Sequence, residues 1–451
     1  MAKICDLTSG NTGKLLFSFA FPTLLSNLFQ QFYNLADTSI AGHILGDSAL
    51  VSIGATSSIY SLVITFANGL SGGFGIIMAQ CFGAKDSRKL QKSIAHALII
   101  NLALGIIICI ASIFLIKPVL KLMNTPQTQF DDAYSYIIVI LAAIIVPMLY
   151  NLESTVLRSL GDSKTPLYFL IFASMLNIAL DYVFIKYLGT GVKGAALATV
   201  IAQLSAAILC FIVIKKNFAV IRLKKESFRF NRLLFSNMMS AGMAMAMMNS
   251  IFSIGSIIMQ SAINSLGSII IAAHLAARKI AEMFMQPLVT IGLACSTFVG
   301  QNFGAKKYGR IKEGIKYSII YSAIWSVISF AVLFFFGKNL AQLITGSNDP
   351  AVISNAEMYL KINAPFYFVL SILFIYRFSI QSINKKVPPL ISSSMELISK
   401  ILAAFVFIPL WGYTGACIAE PLSWCLGTAY LIFTFKNAFI KLDKNIQINK
   451  L

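Results

Sequence analysis

The chain has 451 residues, of which 57% are hydrophobic and 12% are charged, and its formal net charge is +19. A soluble domain is about half apolar and about a quarter charged, so this composition excludes a soluble globular protein and indicates an integral membrane protein. The cysteines and histidines form no metal-spaced cluster, and no nucleophile elbow, phosphate loop or HExxH motif occurs. We therefore expect no enzyme, no metal site apart from a site for sodium, and no cofactor.

Long apolar segments, separated by Gly, Pro and clusters of charge, predict an all-α protein with twelve transmembrane helices, because about 20 apolar residues span a bilayer. The first segment is too long and too polar inside for a cleavable signal peptide, so we interpret it as a retained helix. The twelve predicted spans are 14–38, 50–79, 93–116, 134–157, 165–187, 194–215, 234–262, 269–300, 315–337, 355–380, 388–410 and 415–436.

The sequence repeats itself at a distance of 221 residues, where QCFGAK at 80–85 returns as QNFGAK at 301–306. Three more matches keep this register: Gly46 with Gly267, Gly191 with Gly412, and the small residues of 194–198 with those of 415–419. Such a repeat predicts two homologous six-helix lobes, and a repeated membrane unit is typical of a transporter. The predicted domains are a first lobe over 1–215, a linker over 216–232, a second lobe over 233–437 and a tail over 438–451.

Lysine and arginine are concentrated in alternate loops. The opposite loops hold only Lys117, Lys121, Lys186, Lys193 and Lys338. The positive-inside rule then places both termini and the basic linker in the cytoplasm of a cell bounded by this membrane. The net positive charge therefore follows from membrane topology, and we expect no nucleic acid partner.

Polar residues share one face of two predicted helices. In the first helix they follow the spacing i, i+3, i+4, i+7, i+10: Asn27, Gln30, Gln31, Asn34 and Asp37. The seventh helix carries Asn249, Ser253, Ser256 and Gln260. An intramembrane Asp costs about 2.5–3.5 kcal/mol on insertion scales, so the first face is predicted to line a hydrated substrate cavity rather than to meet lipid. The face of the seventh helix mirrors it in position and is predicted to line the substrate cavity as well. The alternative is a packing stripe of amide hydrogen bonds.

Asn177 and Asp181 are four residues apart in the fifth predicted helix and are therefore neighbours on one face. Their oxygens, together with Asp37, predict a site that holds one proton or one small cation. Alternatives are that Asp181 pairs with Lys186 or is solvated, and that Asp37 is a simple interfacial acid. No acid matches either aspartate at the repeat distance, so the coupling acids are expected in the first half alone.

Further charges inside the predicted helices form pairs about one turn apart, where opposite charges can neutralise each other. The expected pairs are Arg278 with Glu282, Glu396 with Lys400, and Glu153 with Arg158. The last of these lies at a cytoplasmic helix end and suggests a gate or an end-cap. The sequence assigns no role to Glu420 or Lys279.

Several motifs occur in a fixed order: Phe21-Pro22, Asp37-Thr38, Ala41-Gly42, the doubled hexapeptide, LRSLGDSKTP at 157–166, Asn177-x-x-x-Asp181 and GVKGAALAT at 191–199. In this order, over nearly the whole chain, the sequence resembles the multidrug and toxic compound extrusion (MATE) transporters. The resemblance implies a V-shaped MATE/MOP-type fold and export driven by proton or sodium entry. It also implies a cation site at Asp37, Asn177, Asp181 and Thr199. Pro22 would be a hinge, because proline frees a helix to kink.

The resemblance and the residues together predict a monomeric multidrug exporter in membrane lipid, which exchanges organic cations or amphiphilic drugs for protons or sodium ions. The alternative is a flippase or exporter of lipid-linked or polysaccharide precursors from the same superfamily. Such a protein would need cationic residues in its cavity, for which Arg278 and Lys279 are the candidates. A membrane transferase or protease lacks a visible nucleophile or metal cluster, and a passive channel is disfavoured by a fused repeat with unequal lobes.

Overall fold

The computed structural model describes residues 5–123, 125–346 and 349–448; for 34–39, 41, 47–50 and 439–448 it describes the backbone alone. These ranges contain helices and no strand. The α-helices are α1 (Thr12–Leu45), α2 (Asp47–Gly83), α3 (Ser87–Leu122), α4 (Phe130–Ala142), α5 (Ile145–Ser159), α6 (Lys164–Asp181), α7 (Gly191–Asn217), α8 (Arg232–Asn264), α9 (Ser268–Gly304), α10 (Tyr308–Thr345), α11 (Pro350–Asn363), α12 (Tyr367–Ser382), α13 (Val387–Leu402), α14 (Ile408–Trp411) and α15 (Tyr413–Ile448).

Each of the twelve predicted spans coincides with one helix or with consecutive helices. The span 134–157 is α4 and α5, which meet at a bend of 46°. Within the described ranges, ten helical spans are long and apolar enough to cross a membrane, and the bent pair makes eleven. Helix α1 is not among them, because Asn27, Gln30 and Gln31 lower the hydropathy of its described part. The all-α membrane fold is therefore confirmed.

The helix ends follow from local sequence. Asp86 and Asp349 precede α3 and α11 and accept hydrogen bonds from the backbone N–H groups of Lys89 and Ala351, each at 2.9 Å. These bonds satisfy donors that the first helical turn leaves free. Gly346 ends α10 in a left-handed conformation, with φ of 61°, which is a common way to close a helix.

The internal repeat recurs in the backbone. Helices α2 and α9 begin and end at equivalent positions. The hexapeptides end at Lys85 and Lys306, whose φ angles of 56° and 58° are unusual for a residue with a side chain. Two π-helical segments, Tyr182–Tyr187 and Ala403–Phe407, also start 221 residues apart. The two halves therefore share irregular details as well as helix order.

Contacts divide the chain into two units. The first comprises Met1–Leu7 and Phe21–Ala246, and the second comprises Thr8–Ala20 and Met247–Leu451. Two of the three boundaries fall inside helices α1 and α8, so the first turns of α1 group with the second half of the sequence and the first turns of α8 group with the first half. The linker 216–232 lies wholly in the first unit.

Specific contacts explain this grouping. In the first unit α8 crosses α2 so closely that a Cβ atom at Gly73 would overlap the carbonyl group of Ala241. In the second unit the Thr12 hydroxyl donates to Glu313 Oε2 at 2.8 Å. Each unit thus holds the start of a helix that continues in the other.

Aromatic side chains show which surfaces are packed and which face outward. Tyr359 and Tyr367 are almost completely buried in the core of the second unit, whereas Phe114, Phe335 and Phe433 are largely exposed. The hydrocarbon core of a bilayer offers no hydrogen-bond partners, so a spanning segment must satisfy its backbone groups internally, as a helix does. The side chains that face the lipid are then apolar. The exposed apolar surface therefore agrees with a multi-pass membrane protein.

Candidate cation site and cavities

Asn177 and Asp181 lie on one face of α6, and both are fully buried. The Asn177 amide, oriented so that both of its ends are satisfied, donates to Asp181 Oδ2 at 3.2 Å and accepts from the backbone N–H of Thr199 at 3.3 Å. Thr199 lies on α7, which packs along α6. The structure therefore brings together three of the four residues predicted for the cation site, and the burial of Asp181 rules out the solvated alternative.

The backbone changes its geometry directly after Asp181. This aspartate is the last residue of α6, and the π-helical segment Tyr182–Tyr187 follows it. π-helical turns are rare in proteins, and those that occur are often found at functional sites. On the facing helix the Thr199 hydroxyl donates to the Ala195 carbonyl at 3.1 Å.

Helix α1 carries Asp37, the fourth residue predicted for the cation site, and Asn34, which was predicted to line the substrate cavity. Its backbone runs through Asn34 and Asp37, but their side chains lie outside the described residues, so their part in the site stays a prediction. Pro22 is buried within the same helix, and the hydroxyl of Ser26 donates to its carbonyl at 3.0 Å. A hinge at Pro22 likewise stays a prediction.

A cavity of about 550 Å³ lies within the first unit. Gln30, Gln31 and Thr199 line it, whereas Asn27 is not among its lining residues. Its wall also contains polar side chains that were not predicted from the sequence: Ser57, Ser61, Asn68, Asn151 and Gln203. The first three of these follow the spacing i, i+4, i+11 and share a helical face, so they are predictable from the same periodicity.

A second cavity, of about 400 Å³, lies within the second unit. Of the four residues predicted on α8, Ser256 and Gln260 line it and Asn249 and Ser253 do not. The Ser253 hydroxyl instead donates to the Asn249 carbonyl at 3.0 Å, which satisfies it within its own helix. Half of the predicted polar stripe therefore belongs to this cavity.

An ion cluster forms part of the second cavity. Arg278 Nη1 lies 2.6 Å from Glu420 Oε1, and Nη2 lies 3.0 Å from Glu282 Oε1. The Tyr359 hydroxyl donates to the other oxygen of Glu420 at 2.8 Å. The predicted Arg278–Glu282 pair is confirmed, and Glu420, to which the sequence assigned no role, is the main partner of Arg278.

Two other predicted charge pairs are wrong. Glu396 on α13 forms its ion pair with Arg377 of α12, not with Lys400 of its own helix, because the two helices bring these side chains into direct contact. Within the described residues Glu153 and Arg158 form no ion pair, and the buried Oε2 of Glu153 has no hydrogen-bond partner there.

The two cavities occupy equivalent places in the two halves. Four residues that line the first cavity each lie 221 positions before a residue that lines the second: Ile53 and His274, Ser57 and Arg278, Ser61 and Glu282, Thr199 and Glu420. Hydroxyl groups of the first half are therefore replaced by charged groups in the second. Both halves therefore have a cavity at the same place in the repeat, but the two cavities differ in the polar groups that line them.

Comparisons with known proteins agree with this architecture. The family model MatE matches residues 22–183 and 230–406. The chain is 29% identical over 377 residues to the "Probable multidrug resistance protein YpnP" of Bacillus subtilis, covering 83% of each chain. It is 25% identical to the "Probable multidrug resistance protein NorM" of Thermotoga maritima, covering 90% of this chain and 88% of that one.

A crystal structure of MATE in the bent conformation superposes with a TM-score of 0.91 at 21% identity, covering 97% of this chain and 98% of that one. That likeness shows the fold, and the family model covers well over half of the sequence. The chain therefore belongs to the MATE family of multidrug efflux transporters.

Proposed function

We propose that this protein is a secondary active exporter that exchanges organic cations or amphiphilic drugs for protons or sodium ions. The observation that carries the proposal is the fully buried carboxylate of Asp181, held by Asn177 beside a cavity of the first unit. Ionisable groups inside a membrane segment are costly, and they commonly mark ion pathways and proton relays. The names of the relatives support multidrug compounds as the cargo.

Thr199 connects the cation site with the cavity. Its backbone N–H donates to Asn177, and its side chain lines the cavity. A proton or sodium ion at Asp181 would change the charge that the Asn177 amide faces, and that change would reach the cavity wall through Thr199. In this proposal Asp37 adds the second carboxylate, and Pro22 allows α1 to bend when the site is filled.

The driving force is sufficient for such an exchange. One cation entering down a potential of about 100 mV supplies about 2.3 kcal/mol. A pH difference of about half a unit adds about 0.7 kcal/mol. Together these support roughly 100-fold accumulation of an uncharged substrate against its gradient. One-for-one exchange of a monovalent organic cation moves no net charge, so for such a substrate only the concentration gradient of the coupling ion drives export.

The test is efflux of a fluorescent organic cation from proteoliposomes under an imposed pH gradient or an imposed sodium gradient. We expect one of the gradients to drive efflux in the native protein and Asp181→Asn to abolish it. Asp131→Asn, which neutralises an exposed acid in the first turn of α4, is the matched control and should leave efflux intact. Gradient-driven efflux that survives in Asp181→Asn would refute the proposal.

We also propose that the protein acts as a monomer in the cell membrane with both termini and the 216–232 linker in the cytoplasm. The support for this orientation is the concentration of basic residues in alternate loops. Single cysteines introduced at Lys225 and Lys338, in a variant without the seven native cysteines, can be labelled with a membrane-impermeant reagent in intact cells. Labelling at Lys338 and protection at Lys225 is the expected result; the reverse pattern would invert the topology.

A further inference from the structure

The wall of the second cavity carries three cationic side chains, Arg278, Lys279 and Lys400, against two carboxylates, so one positive charge is left over. Arg278 faces both carboxylates of the cavity wall, those of Glu282 and Glu420. No carboxylate oxygen of the described residues lies within 4.0 Å of the ammonium group of Lys279 or Lys400. Lys279 is exposed, whereas Lys400 is only 4% exposed although it lines the cavity.

Lys400 is held in place by its surroundings. Its ammonium group lies 4.3 Å from the centre of the Phe252 ring, a favourable cation–π distance. Its Cδ atom lies 2.9 Å from where a Cβ of Gly255 would be, so the missing side chain at Gly255 leaves room for the lysine stem. A buried ammonium group fixed in this way, at the wall of a cavity inside a membrane segment, indicates a binding site for a negative group.

The remaining wall of this cavity is apolar. Ile257 and Leu275 line it and are largely exposed, and Met259 lies beside them. Apolar walls with a few fixed polar groups are typical of sites for small molecules. The cavity thus offers a cationic side for a head group and an apolar side for a hydrocarbon body. It also occupies the place that corresponds to the cavity of the first unit.

We propose that the cavity of the second unit binds the anionic group of an amphiphilic substrate, a carboxylate or a phosphate, with Lys400 and Lys279 as its cationic contacts. This inference rests on the proposed export function for its meaning, and within that function it concerns amphiphilic drugs that carry a negative group, not the organic cations. An amphiphilic drug and a membrane lipid can both supply this chemistry.

Equilibrium binding tests the proposal. Full-length protein in nanodiscs of phosphatidylcholine is titrated with decyl phosphate, decyltrimethylammonium or inorganic phosphate, and heat is measured by calorimetry. Decyl phosphate should bind saturably. Lys400→Gln should weaken its binding at least tenfold, because a hydrogen bond to a charged group is lost. Lys400→Arg should restore binding, and Lys361→Gln, an exposed lysine paired with Glu357, should not change it.

Lys279→Gln keeps the test valid if Lys400→Gln fails to fold, because Lys279 is exposed and its replacement leaves the packing intact. This variant should also weaken decyl phosphate binding. Unchanged affinity in both variants would overturn the proposal. Equal affinity for inorganic phosphate and for decyl phosphate would overturn the role of the apolar wall. Competition by decyltrimethylammonium against decyl phosphate that is equally strong in native protein and in Lys400→Gln would overturn selection for a negative group.

A second set of nanodiscs, containing phosphatidylglycerol, separates the two sources. Loss of decyl phosphate binding in these discs would support the proposal with an anionic lipid head group as the occupant. Retained binding would support it with a small amphiphile. Because no ion gradient is present, failure of binding leaves the coupled export at Asp181 untouched, and failure of coupled export leaves this site untouched.

Discussion

Thr199 and Glu420 lie 221 residues apart, at equivalent positions of the repeat, and each lines the cavity of its own unit. Thr199 donates its backbone N–H to Asn177, which in turn contacts the buried carboxylate of Asp181. Glu420 instead carries the carboxylate itself and accepts from Arg278 and Tyr359. In both halves a carboxylate therefore lies close to this position, with an amide beside it in the first half and a guanidinium in the second.

This difference separates two kinds of site. A buried carboxylate beside a neutral amide can have its negative charge neutralised by a proton or a bound cation. A buried carboxylate already paired with a guanidinium has its counter-charge supplied by the protein, and breaking such a pair is strongly unfavourable. We therefore expect the first unit to respond to the ion gradient and the ion cluster of the second unit to be static.

Replacing Asn177 with Leu tests the first half of this expectation. The change removes the amide that donates to Asp181. A hydrogen bond to a charged group contributes about 1.5–3 kcal/mol, so the cation dependence of efflux should shift at least tenfold. Efflux is measured over a series of sodium concentrations and pH values. Asn355→Leu, which removes an amide that donates to the Ala351 carbonyl of its own helix α11, is the control. An identical cation dependence in both variants would contradict the role of Asn177.

Arg278→Met should destabilise the second unit by about 3–5 kcal/mol, because it leaves the buried carboxylate of Glu420 without its counter-charge. Adding Glu420→Gln to the same variant should recover most of this loss. Unfolding in detergent by heat or denaturant gives the comparison. Lys361→Met, which breaks an exposed pair with Glu357, should cost about 1 kcal/mol or less. Similar losses in Arg278→Met and Lys361→Met would show that the cluster is not buried in solution.

A double-mutant cycle distinguishes the observed partner of Glu396 from the one predicted by helical spacing. Arg377→Met and Glu396→Gln should show a coupling energy of about 0.5–3 kcal/mol, because their side chains are in direct contact. Lys400→Met and Glu396→Gln should show a smaller coupling energy, because Glu396 makes its ion pair with Arg377 and no oxygen of Glu396 lies within 4.0 Å of the Lys400 ammonium group. The readout is again the free energy of unfolding. Strong coupling in the second cycle and none in the first would restore the pair along α13.

Two glycines of α2 provide a matched comparison. A methyl group at Gly73 would overlap the Ala241 carbonyl, so Gly73→Ala should destabilise the first unit by about 1–3 kcal/mol. Gly54 has open space around its Cα, and Gly54→Ala should stabilise α2 by about 0.5–1 kcal/mol, since alanine favours the helix. The two variants should therefore shift the unfolding midpoint in opposite directions. A loss of stability in Gly54→Ala would contradict the open space at that position.

The residue types and their order were enough to predict the helices, the repeat and the family. Apolar runs of about 20 residues have few alternatives to a membrane helix, and matches in a single register identify the repeat wherever they fall. The pairing of Asn177 with Asp181 was also readable, because residues four apart on a helix are neighbours whatever surrounds them. Local spacing correctly paired Arg278 with Glu282 for the same reason.

Contacts between helices were decided only by the tertiary structure. Glu396 has a neighbour of opposite charge on its own helix, yet its partner is Arg377 on the adjacent helix, and this exchange leaves Lys400 facing a cavity. Glu420 forms its ion pair with Arg278, which is 142 residues away along the chain. Sequence spacing shows which side chains share a helical face. The packing of helices against each other determines which charged side chain of a neighbouring helix lies opposite that face.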